Sequence, residues 1–288
     1  MFTLTNLQQQ STEKKWTYQW LSASGEVLVS YCYQDSYHWL HFPELANFKI
    51  TSDGNEISCF PLSEIPIETI HHLLLDQVLP RCLAHKGNIV LHASAVNLGV
   101  GLVLFLGDSG VGKSTLAGNF HQAGSPVVSD DCIRIVDTTD RIMAVPSYGG
   151  LRLWQDSLQN LYLPEHATSP VSHYASKLRV PLKESISYEE GLPVLALMLL
   201  SPPGEIDTSE VNLDPVPHRE AFIALLKQSF QLNLMDIGRM KTHAQSLTCI
   251  VPRLSVYRLS IRRDFALLPI VRQKILETVL EQQAGKEN

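Results

Sequence analysis

The chain has 288 residues, 44% of them hydrophobic and 18% charged, with 16 Gly and 16 Pro. That composition excludes a disordered, collagen-like or disulfide-scaffold chain and leaves one large α/β domain with a lead-in region, or two domains. Twenty-three Lys and Arg against 29 Asp and Glu give a net charge of −6, and like charges never run beyond pairs such as Lys14-Lys15. A nucleic-acid partner held by a basic footprint is therefore not expected. The five cysteines, Cys32, Cys59, Cys82, Cys132 and Cys249, are spread out and form no C-x-x-C pair. They read as buried or incidental thiols of a reducing compartment. The polar start MFTLTNLQQQSTEKK lacks the apolar stretch of a signal peptide, and the longest apolar run, Val194–Leu200, is far short of the ~20 residues of a membrane span. The expectation is a cytoplasmic protein with no membrane partner.

Residues 16–60 carry short bursts rich in Trp, Tyr, Val and Ile (WTYQW, EVLVSYCY, YHWLHF, NFKIT, EISCF), broken by SASG, QDS, PELA and SDGN. This pattern predicts short paired strands with tight turns. From Pro66 the period becomes helical, through Ile67, Ile70, Leu73, Leu74, Val78 and Leu79, with Gly87 as the stop. A β-rich region with a connecting helix, 1–86, is thus set apart from 87–288. Beyond Gly87, strand-like Asn88–Val96, Leu102–Leu106, Pro126–Ser129, Ile133–Val136, Val194–Leu200 and Leu254–Ser260 are interspersed with helical segments to about Gln122, at Pro217–Phe230 and at Leu267–Gln282. That order predicts an α/β core. Residues 161–190 are polar and punctuated and read as a long loop or flap.

Between the strand at Leu102–Leu106 and a helix opening at Lys113 lies Gly107-Asp108-Ser109-Gly110-Val111-Gly112-Lys113-Ser114, followed by Thr115. It matches G-x-x-x-x-G-K-[ST] in its required strand–loop–helix setting. Glycines let successive backbone N–H groups turn inward, and the helix N-terminus adds partial positive charge, so the loop forms an anion cradle. Lys113 suits the β- and γ-phosphates of a nucleotide, and the Ser114 hydroxyl suits Mg²⁺.

Val127-Val128-Ser129-Asp130-Asp131 is an apolar strand that ends in two carboxylates. One acid suffices to hold a metal; a second can take the proton of an alcohol that receives a phosphoryl group. Neighbouring strand residues point to opposite faces, so a bend is required for both acids to meet one site. Upstream, Leu91-His92-Ala93-Ser94-Ala95-Val96 sets a histidine immediately before the strand of the loop. Arg258, Arg262 and Arg263 read as surface salt-bridging cations, and Lys177, Arg179 and Arg152 as solvated loop cations ahead of the alternative that they clamp a transferring phosphoryl group.

The histidine strand, the Gly107–Thr115 loop, Gly124 and the Asp130-Asp131 strand, in this order and spacing, resemble the catalytic core of the HPr kinase/phosphorylase family. The resemblance covers about residues 88–136. A looser likeness through Pro146–Trp154 and Ser176–Arg179 extends to divergent HPr kinase-related proteins of peptide-modification systems, lasso-peptide tail kinases among them. It implies a P-loop kinase core of the HPr kinase/phosphoenolpyruvate carboxykinase type, with ATP and Mg²⁺ as cofactors and a serine hydroxyl of a peptide or small protein as acceptor. Carried over by position, Lys113 and Ser114 bind phosphates and Mg²⁺, Asp130 is the base, Asp131 a metal-linked acid and His92 a site residue. The family's Glu-Ile-Arg-Gly-Leu-Gly-type segment has no counterpart here, the nearest stretch being Tyr148–Trp154. A homo-oligomer is left open. So are a small-molecule alcohol kinase and a nucleotide-switched regulator, although the chain has no N-K-x-D guanine-reading motif and no L-S-G-G-Q.

Overall fold

The computed structural model describes residues 1–4, 14–22, 24–62, 64–146, 151–161, 169–172, 175–180, 191–202 and 211–286. Its residues group into two compact units, one built mainly from Met1–Asn88 together with Gln231–Met240, the other from most of Ile89–Asn288. Both sheets and helices are present throughout, so the fold is mixed α/β.

The first unit is a six-stranded sheet of β1 (Phe2–Leu4), β2 (Tyr18–Leu21), β3 (Val27–Gln34), β4 (Tyr37–Phe42), β5 (Ala46–Thr51) and β6 (Ile57–Pro61), in spatial order β1-β6-β5-β4-β3-β2. Strands β2 to β6 form an antiparallel meander, and β1 adds in parallel at the edge of β6. Period-two alternation turns Leu40 and Phe42 of β4 and Ala46, Phe48 and Ile50 of β5 to one face. Helices α1 (Ile67–Leu73) and α2 (Leu79–His85), joined by a π-helical turn at Leu74–Val78, contribute Ile70, Leu73, Val78 and Cys82 to the same core, which Leu232 completes.

Within this core His38 is 3% exposed; its Nδ1 shares a 2.7 Å hydrogen bond with Tyr31 Oη, and its ring meets that of His85 edge-on at 4.6 Å. Burial, reinforced by the neighbouring His85, lowers its pKa from 6.5 to about 4, and burial lowers that of His85 as well. The unfolded chain takes up these protons near pH 6.5, the folded unit only near 4. Stabilisation by the neutral imidazole is therefore complete above pH 6.5 and is lost as the pH falls toward 4, by up to about 1.4 kcal/mol per pH unit. Urea unfolding midpoints are expected to drop between pH 7 and 5, and to drop less in His38→Gln; equal slopes would exclude His38 as the cause.

The second unit begins with β7 (Ile89–Leu91), β8 (Ala93–Asn97), β9 (Leu102–Leu106), α3 (Lys113–Gln122), β10 (Val127–Ser129), β11 (Ile133–Asp137) and β12 (Ile142–Pro146). It continues with β13 (Leu151–Trp154), α4 (Gln155–Leu161), β14 (Ser169–Ser172), β15 (Ala175–Val180), β16 (Leu192–Leu200), β17 (Asn212–Pro215), α5 (His218–Gln228), α6 (Ile237–Ile250, from Lys241 onward in this unit), β18 (Val256–Ser260) and α7 (Leu268–Lys286). A nine-stranded mixed sheet runs β10-β8-β9-β16-β12-β11-β7, with β18 beside β16 and β17 beyond it. Strands β9, β16 and β18 are parallel to one another.

The reason β9 lies centrally is its composition: all five residues are apolar and fully buried, so neither face can meet water. Leu102, Leu104 and Leu106 pack with Ala221 and Leu225 of α5 and Leu247 and Ile250 of α6. Val103 and Phe105 belong to a different core cluster, with Leu116 and Phe120 of α3 and Val271, Ile275 and Val279 of α7. The helices thus cover the sheet on both sides.

Three expectations change. Asn88–Val96 is two strands broken at His92, because the His92 N–H donates to the Gln228 carbonyl at 2.8 Å instead of to a ladder partner. Part of the expected 161–190 loop is strand, as β14 and β15 join β13 in a three-stranded sheet of order β13-β15-β14; 162–168, 173–174 and 181–190 lie outside the described residues. Helices α4 and α6 and strands β1, β12, β13 and β17 are additional. No helix among the described residues is long and apolar enough to cross a membrane. The five cysteines are free, and all but Cys249 are buried.

Candidate functional site

The central strand β9 delivers its chain to the Gly107–Thr115 loop, and α3 starts at Lys113. Positive φ at Gly107 (147°), Gly110 (80°) and Gly112 (114°) gives the loop a curvature that residues with a Cβ seldom adopt. At Gly107 the space is also closed: a Cβ there would stand 2.9 Å from Val111 Cγ1 and 3.2 Å from the Leu200 carbonyl. At Gly110 and Gly112 nothing lies within 4 Å of that position, so the loop has open space over its middle. Val111 N–H closes a turn onto the Asp108 carbonyl at 3.2 Å. Asp108 and Ser109 are exposed.

Lys113 is 5% exposed and folds back across the loop; its Nζ donates to the carbonyls of Gly107 (2.7 Å) and Asp108 (3.2 Å). Ser114 Oγ donates to Asp130 Oδ1 at 2.9 Å. Thr115 Oγ1 and Ser157 Oγ share a 2.9 Å hydrogen bond that joins α3 to α4. Asp130, 1% exposed, sits just beyond the end of β10 and also accepts from Ser94 Oγ and from Arg152 N–H, the latter at 2.9 Å on Oδ2. With three donors around it, this buried carboxylate has its hydrogen-bonding capacity met and is fixed in place.

The bend required by the adjacent acids is present at Asp131, whose φ is +87°. Such a conformation costs a non-glycine residue about 1–3 kcal/mol and persists where its surroundings impose it, often at functional sites. It turns Asp131 so that Oδ2 accepts from Arg152 Nη1 at 2.6 Å while Oδ1 lies 3.3 Å from His92 Nε2. The side chains of Asp131 and His92 are 14% and 31% exposed, more open than Asp130. His92 lies at the break between β7 and β8 and packs edge-on against Phe230 at 6.0 Å.

The fold thus brings Lys113, Ser114, Asp130, Asp131 and His92 to one end of β8, β9 and β10. Two further residues join them. Arg152 is a buried cation of β13, 2% exposed, rather than a solvated one; nothing local in the sequence signals this, since strand alternation sets it on the face opposite Leu151 and Leu153. Arg258 and Arg262 make the expected surface pairs, with Glu220 (2.8 Å) and Asp264 (2.9 Å). Arg263 instead sends Nη2 to the Gly110 carbonyl at the tip of the loop. Pairing of Asp264 with Arg262 and with Ala266 N–H (2.9 Å) fixes the turn that aims Arg263 there. The side chains of Lys177 and Arg179 lie outside the described residues.

Chemically, the loop and the start of α3 make a cationic, N–H-rich concavity suited to an anion. The neighbouring Ser114 hydroxyl and aspartate carboxylates are hard oxygen donors of the kind Mg²⁺ prefers. Among the described residues no three His, Cys, Asp or Glu side chains gather into a cluster that could hold a metal unaided. A cation bound here must take part of its coordination from a ligand or water.

No protein-family model matches the chain, and no curated protein matches it. Among solved structures the chain is similar to the Hpr(Ser) kinase/phosphatase from Coxiella burnetii, with 13% identity, a TM-score of 0.34, and coverage of 66% of this chain and 97% of that one.

Proposed function

We propose that this protein is an ATP-dependent cytoplasmic phosphotransferase, a P-loop kinase that moves the γ-phosphoryl group to a serine hydroxyl of a peptide or small protein. The observation that carries this reading is the contact of Ser114 Oγ with Asp130 at the head of α3, with Asp131 and His92 alongside. An anion cradle alone would serve a switch protein; two carboxylates beside it supply both a metal-linked acid and a proton acceptor.

In this mechanism the loop N–H groups and the positive end of α3 receive the phosphates. Lys113 exchanges its Gly107 and Asp108 carbonyl partners for phosphate oxygens. Ser114 and an aspartate would hold Mg²⁺, which would supply charge neutralisation. The acceptor oxygen bonds to the γ-phosphorus as the bond to the bridging oxygen breaks, ADP leaves with that electron pair, and a carboxylate takes the hydroxyl proton.

The sequence-based division of roles makes Asp130 the base and Asp131 the metal-linked acid. The geometry favours a second division, because Ser114 touches Asp130, whereas Asp131 is more open and paired with His92. In that case Asp130 holds the metal with Ser114, and Asp131 takes the proton. The test is γ-labelled ATP, Mg²⁺ and a serine-peptide library, with Lys113→Ala as control. Label on serine, absent in the control, supports the proposal; label only in free phosphate or in a small metabolite overturns it.

Arg263 adds a cation at the rim of the loop. Its replacement by alanine is expected to weaken ATP binding about fivefold, the effect of one solvent-exposed charge-assisted contact, and to flatten the salt dependence of binding. Calorimetric titration at two ionic strengths measures both; unchanged affinity would confine Arg263 to tethering Gly110.

A further inference from the structure

Next to the loop, on the side away from β10, lies a cavity of about 260 Å³. Leu106 and Gly107-Asp108 close one end, Leu199, Leu200 and Pro202 form its floor, and α5 and Arg258 form its wall. Helix α5 contributes Glu220, Ile223, Ala224, Lys227 and Gln228, spaced i, i+3, i+4, i+7 and i+8, which is one stripe of the helix. The buried side of the same helix carries Ala221 and Leu225, and that core is met by Ala224 alone of the stripe. Yet in its middle stands Ile223, 44% exposed, beside a polar rim made by Lys227 and the Arg258–Glu220 ion pair.

The cavity is joined to the candidate site by two contacts. Gln228 Nε2 donates to Asp108 Oδ1 at 3.3 Å, and the Gln228 carbonyl receives the His92 N–H at 2.8 Å. Asp108 is also the residue whose carbonyl holds Lys113 Nζ. The cavity thus adjoins Gly107 and Asp108, the two residues whose carbonyls hold Lys113 Nζ.

We propose that this cavity is the acceptor subsite and that it takes an apolar side chain lying within two residues of the phosphorylated serine in a polypeptide. The inference rests on the kinase reading and narrows it. Its size supports a polypeptide: pockets that enclose an entire small molecule run from ~300 to 1,000 Å³. This one falls below that range and fits one or two side chains of a longer ligand. Its lining supports an apolar side chain, because Ile223, Ala224, Leu199, Leu200 and Pro202 offer no hydrogen bond from their side chains, and the charges stand at the rim.

The experiment compares peptides of a single serine flanked by Leu, Gly or Lys, phosphorylated by the full chain and by Ile223→Lys and Ile223→Ala, with ATP binding measured in parallel. Because Ile223 is exposed, neither variant should lose its thermal midpoint. Leu-flanked peptides are expected to show a KM about tenfold lower than Gly-flanked ones, the effect of burying one aliphatic side chain. Ile223→Lys should abolish that preference and leave the Kd for ATP unchanged, and Ile223→Ala should halve it or more. Transfer that is indifferent to flanking residues and to Ile223 overturns the subsite but leaves the kinase standing. A rise in the Kd for ATP in Ile223→Lys, with peptide preference intact, overturns it in favour of a nucleotide-base pocket. No transfer to any peptide by the wild-type chain overturns the kinase reading, and the subsite with it.

Discussion

Asp130→Asn and Asp131→Asn are each expected to lower phosphoryl transfer by about 10²–10⁴-fold while nucleotide still binds, the range over which a positioned proton acceptor acts. Asparagine keeps the shape of each side chain, and at position 130 its amide oxygen can still accept from both Ser94 and Ser114, leaving only the Arg152 N–H without its acceptor. What it cannot do is carry charge or take a proton. The two variants separate the roles. The acid that works with Ser114 on Mg²⁺ is the one whose loss raises the Mg²⁺ concentration needed for tight ATP binding. The acid that takes the hydroxyl proton is the one whose loss removes the acidic limb of the pH–rate profile at saturating Mg²⁺. The contact between Ser114 and Asp130 assigns the first behaviour to Asp130→Asn and the second to Asp131→Asn. Transfer at the wild-type rate in both would exclude the pair from the chemistry.

What was legible in the sequence follows from what each segment buries. Leu102–Leu106 is read to the residue because five consecutive apolar side chains bounded by glycines have one solution, a strand buried on both faces. The start of α3 at Lys113 is equally plain, since the G-x-x-x-x-G-K-[ST] pattern opens a helix at its lysine. The β-rich bursts of residues 16–60 appear as β2 to β6 because each pairs with its sequence neighbour, so local turns fix the register. The sequence reads His92 as lying inside a strand because nothing local marks the break; a carbonyl 136 positions later, that of Gln228, takes its N–H. Helix α6 is not legible because only His243, Leu247 and Ile250 of its 14 residues are buried, too sparse a stripe among Thr, Ser, Gln and Gly to declare a helical period. Arg152 and Arg263 share one cause: their partners, Asp131 and the Gly110 carbonyl, are far away in the chain. The two acids were visible as a pair, but which of them meets Ser114 depends on the turn at Asp131.

Replacing Arg152 by methionine is expected to destabilise the second unit by about 3 kcal/mol and to disable transfer even though the phosphate loop is untouched. The guanidinium is 3% exposed and its partner carboxylate 14%. Breaking one side of a buried ion pair costs about 3–5 kcal/mol, because the remaining charge has given up its water. The lower end applies here, since Asp131 retains His92 at 3.3 Å. Methionine fills the volume and keeps the backbone N–H that Asp130 accepts, so Asp130 and Ser114 stay in register. Asp131 does not: its φ of +87° is held in part by the 2.6 Å contact with Arg152 Nη1, and relaxation of that conformation withdraws its carboxylate from the site. Lysine should restore little of the rate. Arg152 Nη1 reaches Asp131 Oδ2 and also lies 3.5 Å from the Asp130 carbonyl, and a single ammonium on a flexible stem does not reproduce a planar donor fixed between two acceptors. Urea unfolding and ATP binding, measured on the same samples, decide the matter. A midpoint that falls with ATP affinity near wild type and transfer lost places Arg152 as the residue that positions Asp131, whereas stability and transfer both unchanged would show that the pair is dispensable.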